Sequence, residues 1–250
     1  MRIHLRPLLL AAAAAVLAGP VQAQSFVAEY PAVEGSDARY LREWLIETGR
    51  VERLATWLNG WIRMPRRVTL RMVECPSSDI RWNGEEHTVE MCYRMITRLY
   101  GIAEGRDSLV EAATGAHYFV TLHGVAHGII EELNLPVGVD PEAAVDELSA
   151  LLLIAASRNP ENPAFVVGGV TALQAADPGW GNWVYARTHG LGPERFQNVA
   201  CLVYGSNSER FASLRTSGLV PQGARQRCRT AALRSMDVWS RRLGRYLRTG

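Results

Sequence analysis

The sequence predicts an α+β protein that is predominantly α-helical, with a small antiparallel sheet near its N-terminus and a helical body behind it. Three observations carry this. Val68 to Cys75 and the run ending at Met91 alternate apolar and polar residues as strands do, and Pro76-Ser77-Ser78 and Asn83-Gly84 supply turn signals. Before and after them, apolar residues recur at three- and four-residue spacing, the period of a helix with one buried face. The composition, 48% hydrophobic and 21% charged over 250 residues, excludes a disordered or fibrous chain.

The elements follow in order. Pro7 to Ser25 is apolar and free of charge, sits behind Arg2 and Arg6, and contains Val21-Gln22-Ala23, so residues 1–23 read as a secretory signal peptide. No later segment offers the roughly 20 apolar residues of a membrane span, so the mature chain is expected to be exported, periplasmic or secreted. Residues 24–37, marked by Pro and Gly, are expected to be irregular. Leu41, Trp44 and Leu45, then Leu54, Trp57 and Leu58, predict a helical pair from Ala38 that Pro65 stops. After the strands, helices are expected at about 93–103, 107–134, 141–157, 167–176, 193–204, 207–216 and 222–247, punctuated by Pro136, Pro141, Pro160, Pro178 and Pro221. No repeat and no linker divides 24–250, which is expected to be one domain.

Charge and cysteine content narrow the classes. All basic residues are Arg; with the leader removed, 25 of them face 25 acids, and total charge favours no nucleic-acid partner. The distribution is uneven. Residues 201–250 carry ten Arg against Glu209 and Asp237, while 101–150 carry nine acids against Arg106, which predicts a basic C-terminal segment packed near an acidic centre. Four cysteines in an exported chain read as two disulfides, and Cys75 with Cys92 and Cys201 with Cys228 is the simplest of three pairings.

The chemistry concentrates in Leu122-His123-Gly124-Val125-Ala126-His127-Gly128. Four-residue spacing puts both imidazoles on one helix face, about one turn apart, where they can share an ion. A tetrahedral zinc needs a third protein ligand. Downstream, Pro141 can open a helix whose first turn presents Glu142, with Asp146 on the same face. Glu142 can be that ligand. Asp146 can accept a hydrogen bond from the non-ligating nitrogen of one histidine and fix its tautomer.

These segments resemble an exported bacterial metallopeptidase family with gluzincin-like ligand order, long known as a domain of unknown function. The resemblance spans roughly Ala38 to Leu247. It rests on the histidine motif, on Leu135-Pro136 through Glu142 to Asp146-Glu147-Leu148, on His189-Gly-Leu-Gly-Pro-Glu-Arg195 through Cys201 to Tyr204-Gly205-Ser206, and on Gly218-Leu-Val-Pro221 with Arg225 and Cys228. It implies a zincin-like helical core, one zinc on His123, His127 and Glu142, a peptide or protein as substrate or ligand, and His189 steadying the oxyanion of a tetrahedral intermediate.

The departures bear on activity. The family motif has Glu after the first histidine, the general base that takes a proton from the metal-bound water; here stands Gly124. Arg94, Arg187 and Thr188 also replace acids of the family pattern. The resemblance with this gap implies an exported zinc peptidase acting weakly or not at all. The alternatives are a non-catalytic pseudo-peptidase with a structural or peptide-binding zinc, and a metal-free, disulfide-stapled interaction domain. Glu131, four residues beyond His127, is the first substitute base to consider, and Glu132 points elsewhere. His87 is expected at the surface and His117 in packing, Trp57, Trp61, Trp180 and Trp183 in core or cleft, and Ser149 and Ser206 lack a base beside them.

Overall fold

In the computed structural model, which describes residues 25–76, 79–101, 110–157, 163–175 and 193–248, the first element is a strand, β1 (Phe26–Glu29), inside the stretch expected to be irregular. Four residues are too few for alternation to show in a sequence. Its pairing is tertiary: Phe26 lies opposite Val68 in a parallel register with β2 (Val68–Val73). Asn59 satisfies the other side of Phe26, its amide donating to the Phe26 carbonyl at 2.7 Å and its carbonyl oxygen accepting from the Phe26 N–H at 2.8 Å.

Parallel neighbours need a long crossover, and the predicted helical pair provides it: α1 (Ser36–Thr48) and α2 (Arg50–Trp61) run between β1 and β2. Gly49, at φ 57° between them, ends α1 in the left-handed conformation glycine tolerates and donates its N–H to the Ile46 carbonyl at 3.1 Å. β3 (Ile80–Asn83), which lies between the two turn signals and was not expected to be a strand, pairs antiparallel with β4 (Thr88–Cys92), and β4 inserts beside β2 parallel to it, where an antiparallel pair was expected, giving the order β1-β2-β4-β3. The sheet is therefore mixed rather than antiparallel. Turn residues mark a hairpin; a parallel partner brought round by a crossover leaves no such mark.

One face of the sheet buries Phe26, Val68, Leu70, Met72, Ile80, Val89 and Met91. The other carries a charge ladder in register across all four strands, Glu29, Arg71, Glu90 and Arg81. Arg71 Nε lies 3.0 Å from Glu29, and Arg81 Nε 2.5 Å from Glu90. Each such cross-strand pair contributes roughly 0.2–1 kcal/mol.

Under the buried face lie α3 (Tyr93–Gly101) and the long α4 (Val110–Glu132), with α5 (Pro141–Ala156) and α6 (Ala164–Ala175) packed on α4. α7 (Pro193–Ser206), the short α8 (Ser213–Thr216) and α9 (Arg225–Leu243) complete the described helices. The protein is thus α+β and mostly helical. Of the expected helix 207–216 only the last turn forms; Asn207 instead caps a turn, its side chain accepting from Arg210 N at 3.0 Å. α9 stops at Leu243, earlier than expected, because the chain turns there and bridges Leu247 to Ile62. Disulfides join Cys75 to Cys92 and Cys201 to Cys228, with Cα atoms 5.6 and 4.9 Å apart.

His117 is a packing residue, 3% exposed and edge-on to Tyr100 and Tyr118. Burial, with Arg50 nearby, pushes its pKa down from 6.5 to about 3. A histidine held neutral in the fold takes up its proton on unfolding, so its contribution is present above pH 6.5 and lost as pH falls toward 3. His117→Phe should flatten the pH dependence of stability in that window, by up to about 1.4 kcal/mol per pH unit. Urea unfolding of the chelated protein and variant at several pH values checks it; parallel curves would refute it.

Candidate metal centre

α4 places His123 and His127 one turn apart, facing the start of α5. Leu133 to Asp140 make the return: Leu135 N–H donates to the Ile130 carbonyl at 2.9 Å, and Asn134 takes a left-handed φ of 47°. Asp140 caps α5 by accepting from Ala143 N at 3.0 Å, and Pro141 occupies its first turn as expected. Glu142 then stands opposite the histidines and Asp146 one turn deeper.

The three candidate ligands converge. His123 Nε2 and His127 Nε2 are 3.2 Å apart, Glu142 Oε2 is 3.4 Å from His123 Nε2, and Glu142 Oε1 is 3.3 Å from His127 Nε2. One ligand atom from each lies within 4.8 Å of the others. A tetrahedron with corners roughly 2.0–2.1 Å from its centre has edges of about 3.3 Å, so the donor spacing fits a tetrahedral ion. Charge fits as well. Among the described residues, Glu142 and Asp146 bring two carboxylates against the guanidinium of Arg195, an arrangement that suits a cation. His123 is fully buried, and although burial lowers its pKa, Asp146 and Glu142 outweigh that and raise it, the signature of a site seeking positive charge.

Asp146 stands where the orienting role expected of it would place it: its Oδ1 is 3.1 Å from His123 Nδ1. Arg195, from α7, went unrecognised in the sequence as a site residue. Its Nε donates to Asp146 Oδ2 at 2.6 Å and its Nη2 to Glu142 Oε2 at 3.2 Å, so one guanidinium fixes both acids. No periodicity links position 195 to 142; the only signal was its place in the third resembling segment.

Gly124 faces the hairpin. A Cβ built there would lie 2.7 Å from Val89 Cγ1 and 3.2 Å from Ile80 Cγ1. One turn on, a Cβ at Gly128 would meet the Trp82 ring at 2.8 Å. The two glycines let the hairpin settle onto α4, a packing reason for Gly124 that its sequence neighbours do not reveal. The hairpin is also tied down: Trp82 Nε1 donates to Glu131 Oε2 at 2.8 Å, and the buried Glu132 carboxylate meets His87 Nδ1 at 2.6 Å and Arg66 Nε at 2.9 Å. Glu131, the substitute base considered above, is thus engaged by the hairpin, and His87 is a latch rather than a free surface histidine.

Arg94 donates to the Pro76 carbonyl at 3.2 Å, in the groove between α1 and α3, and no hydrogen bond of its own reaches the cluster. The hydroxyls of Ser149 and Ser206 donate to carbonyls of their own helices, Val145 and Val203. His189, Arg187, Thr188, Trp180 and Trp183 lie outside the described residues.

No curated protein and no solved structure matches the chain. A family model described as "putative metallopeptidase" matches residues 30–243, and the chain belongs to that family.

Proposed function

We propose that this protein is an exported metallopeptidase-like protein that holds one zinc on His123, His127 and Glu142 and hydrolyses peptide bonds weakly or not at all. The observation that carries the second half is the closed space at Gly124: the general base of the family motif would start where Val89 and Ile80 already stand. A zinc ion supplies Lewis acidity and brings the pKa of bound water to about 7. What the chain's own residues add is binding and orientation. Asp146 steadies the ring of His123, Arg195 steadies both acids, and His127 and Glu142 keep partial exposure on the side where a peptide carbonyl would arrive. With Gly124 at the position of the family's base, a contribution of typically ~10²–10⁴-fold is missing.

Two disulfides and the apolar leader support export. Fractionation should find the chain outside the cytoplasm, starting at Gln24.

Metal analysis and a peptide-library digest test the reading together. Expected are one zinc per chain, removable by chelation, and hydrolysis at or barely above a chelated control. Strong zinc-dependent proteolysis would overturn the catalytic half, and a metal-free chain that takes up no zinc would overturn the whole.

A further inference from the structure

A cleft of about 500 Å³ opens between α2, α4, the end of α5 and the start of α6. Thr114 and Tyr118 line it, each nine residues before one of the two histidines, about two and a half helical turns, so the cleft lies on the opposite side of α4 from the metal ligands. Its size is that of a small-ligand site, for which ~300–1,000 Å³ is usual.

Its walls sort by polarity. Arg50 and Arg53, from the first turn of α2, line one end. Trp57, on the same helix, stands roughly 10 Å further along. Tyr118 and Phe165, edge-on with centroids 5.2 Å apart, complete the aromatic wall. All three rings are only partly buried, so they keep surface for a ligand to cover.

The cations at the polar end are positioned without a counter-ion. Arg50 Nη1 donates to Thr114 Oγ1 at 3.2 Å, and its guanidinium lies 4.9 Å from the Trp44 ring centroid and 5.6 Å from that of Tyr100. These rings offset part of the cost of burying its charge. Its Nε is buried with no hydrogen-bond partner. Arg53 is exposed, and its Nη1 donates to the Thr48 carbonyl. Among the described residues no carboxylate pairs with either guanidinium, and Glu111, the acid lining the cleft, is no exception. A half-buried cation left without a counter-charge is costly until an anion meets it. Two cations against one acid suit a singly charged anion.

We infer that this cleft binds the C-terminal residue of a peptide when that residue is aromatic or bulky and aliphatic, the carboxylate meeting Arg50 and Arg53 and the side chain lying along Trp57, Tyr118 and Phe165. Inorganic phosphate or sulfate would satisfy the guanidiniums and leave the rings bare. A neutral apolar molecule would cover the rings and leave both cations unmet. Because the cleft and the metal centre occupy opposite sides of α4, binding here needs no zinc.

Calorimetric titration of the mature protein, zinc-loaded and chelated, with N-acetyl-alanyl-phenylalanine tests this. One molecule per chain is expected to bind, equally well in both forms. The C-terminal amide of the same peptide keeps the ring and loses the charge, and should bind at least ~10-fold more weakly. N-acetyl-alanyl-glycine keeps the charge and loses the ring, and should lose a similar factor. Arg53→Glu should weaken binding of the acid at least ~10-fold and leave the weak binding of the amide unchanged, a difference that a merely structural change would not produce. Arg50→Gln should act in the same direction. Thermal unfolding certifies that the variants are folded, and should Arg50→Gln not fold, Arg53→Glu and the acid–amide pair carry the test. No binding, equal binding of acid and amide, or an Arg53→Glu protein that binds the acid as its parent does would each overturn the inference. So would binding that disappears on chelation, by placing the carboxylate on the metal.

Discussion

His127→Ala should abolish zinc binding and with it the thermal stabilisation that zinc confers. His127 Nε2 stands 3.2 Å from its partner nitrogen and 3.3 Å from Glu142, so its loss removes one corner of a three-donor set with no other histidine or carboxylate of the described residues in the cluster. Ligand binding to the folded state alone stabilises by RT ln(1 + [L]/Kd), about 4 kcal/mol at a thousandfold excess over Kd. Chelation should therefore lower the melting temperature of the parent by several degrees and leave that of His127→Ala unmoved. Asp146→Asn should behave differently. The carboxamide keeps the shape but loses the charge that His123 Nδ1 and Arg195 Nε both face. Zinc stoichiometry should hold while affinity drops ~10–100-fold, as for other partners of metal-bound histidines. A His127→Ala protein with full zinc occupancy would place the metal elsewhere and end the reading.

Much of this centre was legible because its logic is local. Four-residue spacing sets two histidines on one face, and Pro141 opens a helix that presents Glu142 and Asp146 on another. The helical pair, the strand runs of β2 and β4 and the two disulfides were legible for the same reason, since turn residues, apolar periods and short cysteine separations all act over a few residues to a few turns. What escaped was non-local. β1 exists because α1 and α2 carry the chain back beside it, and the parallel pairing of β2 with β4 depends on where the hairpin docks. Arg195 reaches its acids from a helix 49 residues further on than Asp146. The neutralisation expected between acidic 101–150 and basic 201–250 is absent from α9, because net charge says nothing about which side chains an interface selects. Glu147 accepts there from Ser235 Oγ and Trp239 Nε1, and Arg227, Arg234 and Arg241 face out.

The glycine beside the first ligand shows the same limit most sharply. In sequence it reads as a missing base and an unexplained cost of about 1 kcal/mol in a helix interior. In the fold it is the contact point of α4 with Val89 and Ile80. Restoring the base with Gly124→Glu alone should therefore not rescue hydrolysis. Its Cβ would stand 2.7 Å from Val89 Cγ1, closer than side chains tolerate, and Val89 is fully buried in a strand whose outer face is held by the Arg71–Glu90–Arg81 ladder. Overpacking of this kind costs typically 1–3 kcal/mol, less the helix-propensity gain of replacing glycine. Gly124→Ala should show nearly the same loss, which assigns it to the Cβ and not to the carboxylate. Pairing Gly124→Glu with Val89→Ala removes the colliding methyl groups and gives the new side chain room to turn toward the ligands. If only the base and its space were lost, this double variant should gain up to ~10²–10⁴-fold in zinc-dependent hydrolysis over the parent, while Gly124→Gln with Val89→Ala should gain nothing. Melting temperature, zinc content and rate are measured on all five proteins. A single Gly124→Glu variant that melts with the parent would show that the hairpin yields and that packing does not hold position 124 to glycine. A double variant that is folded and zinc-loaded but no faster than the parent would show that hydrolysis was given up at more positions than this one.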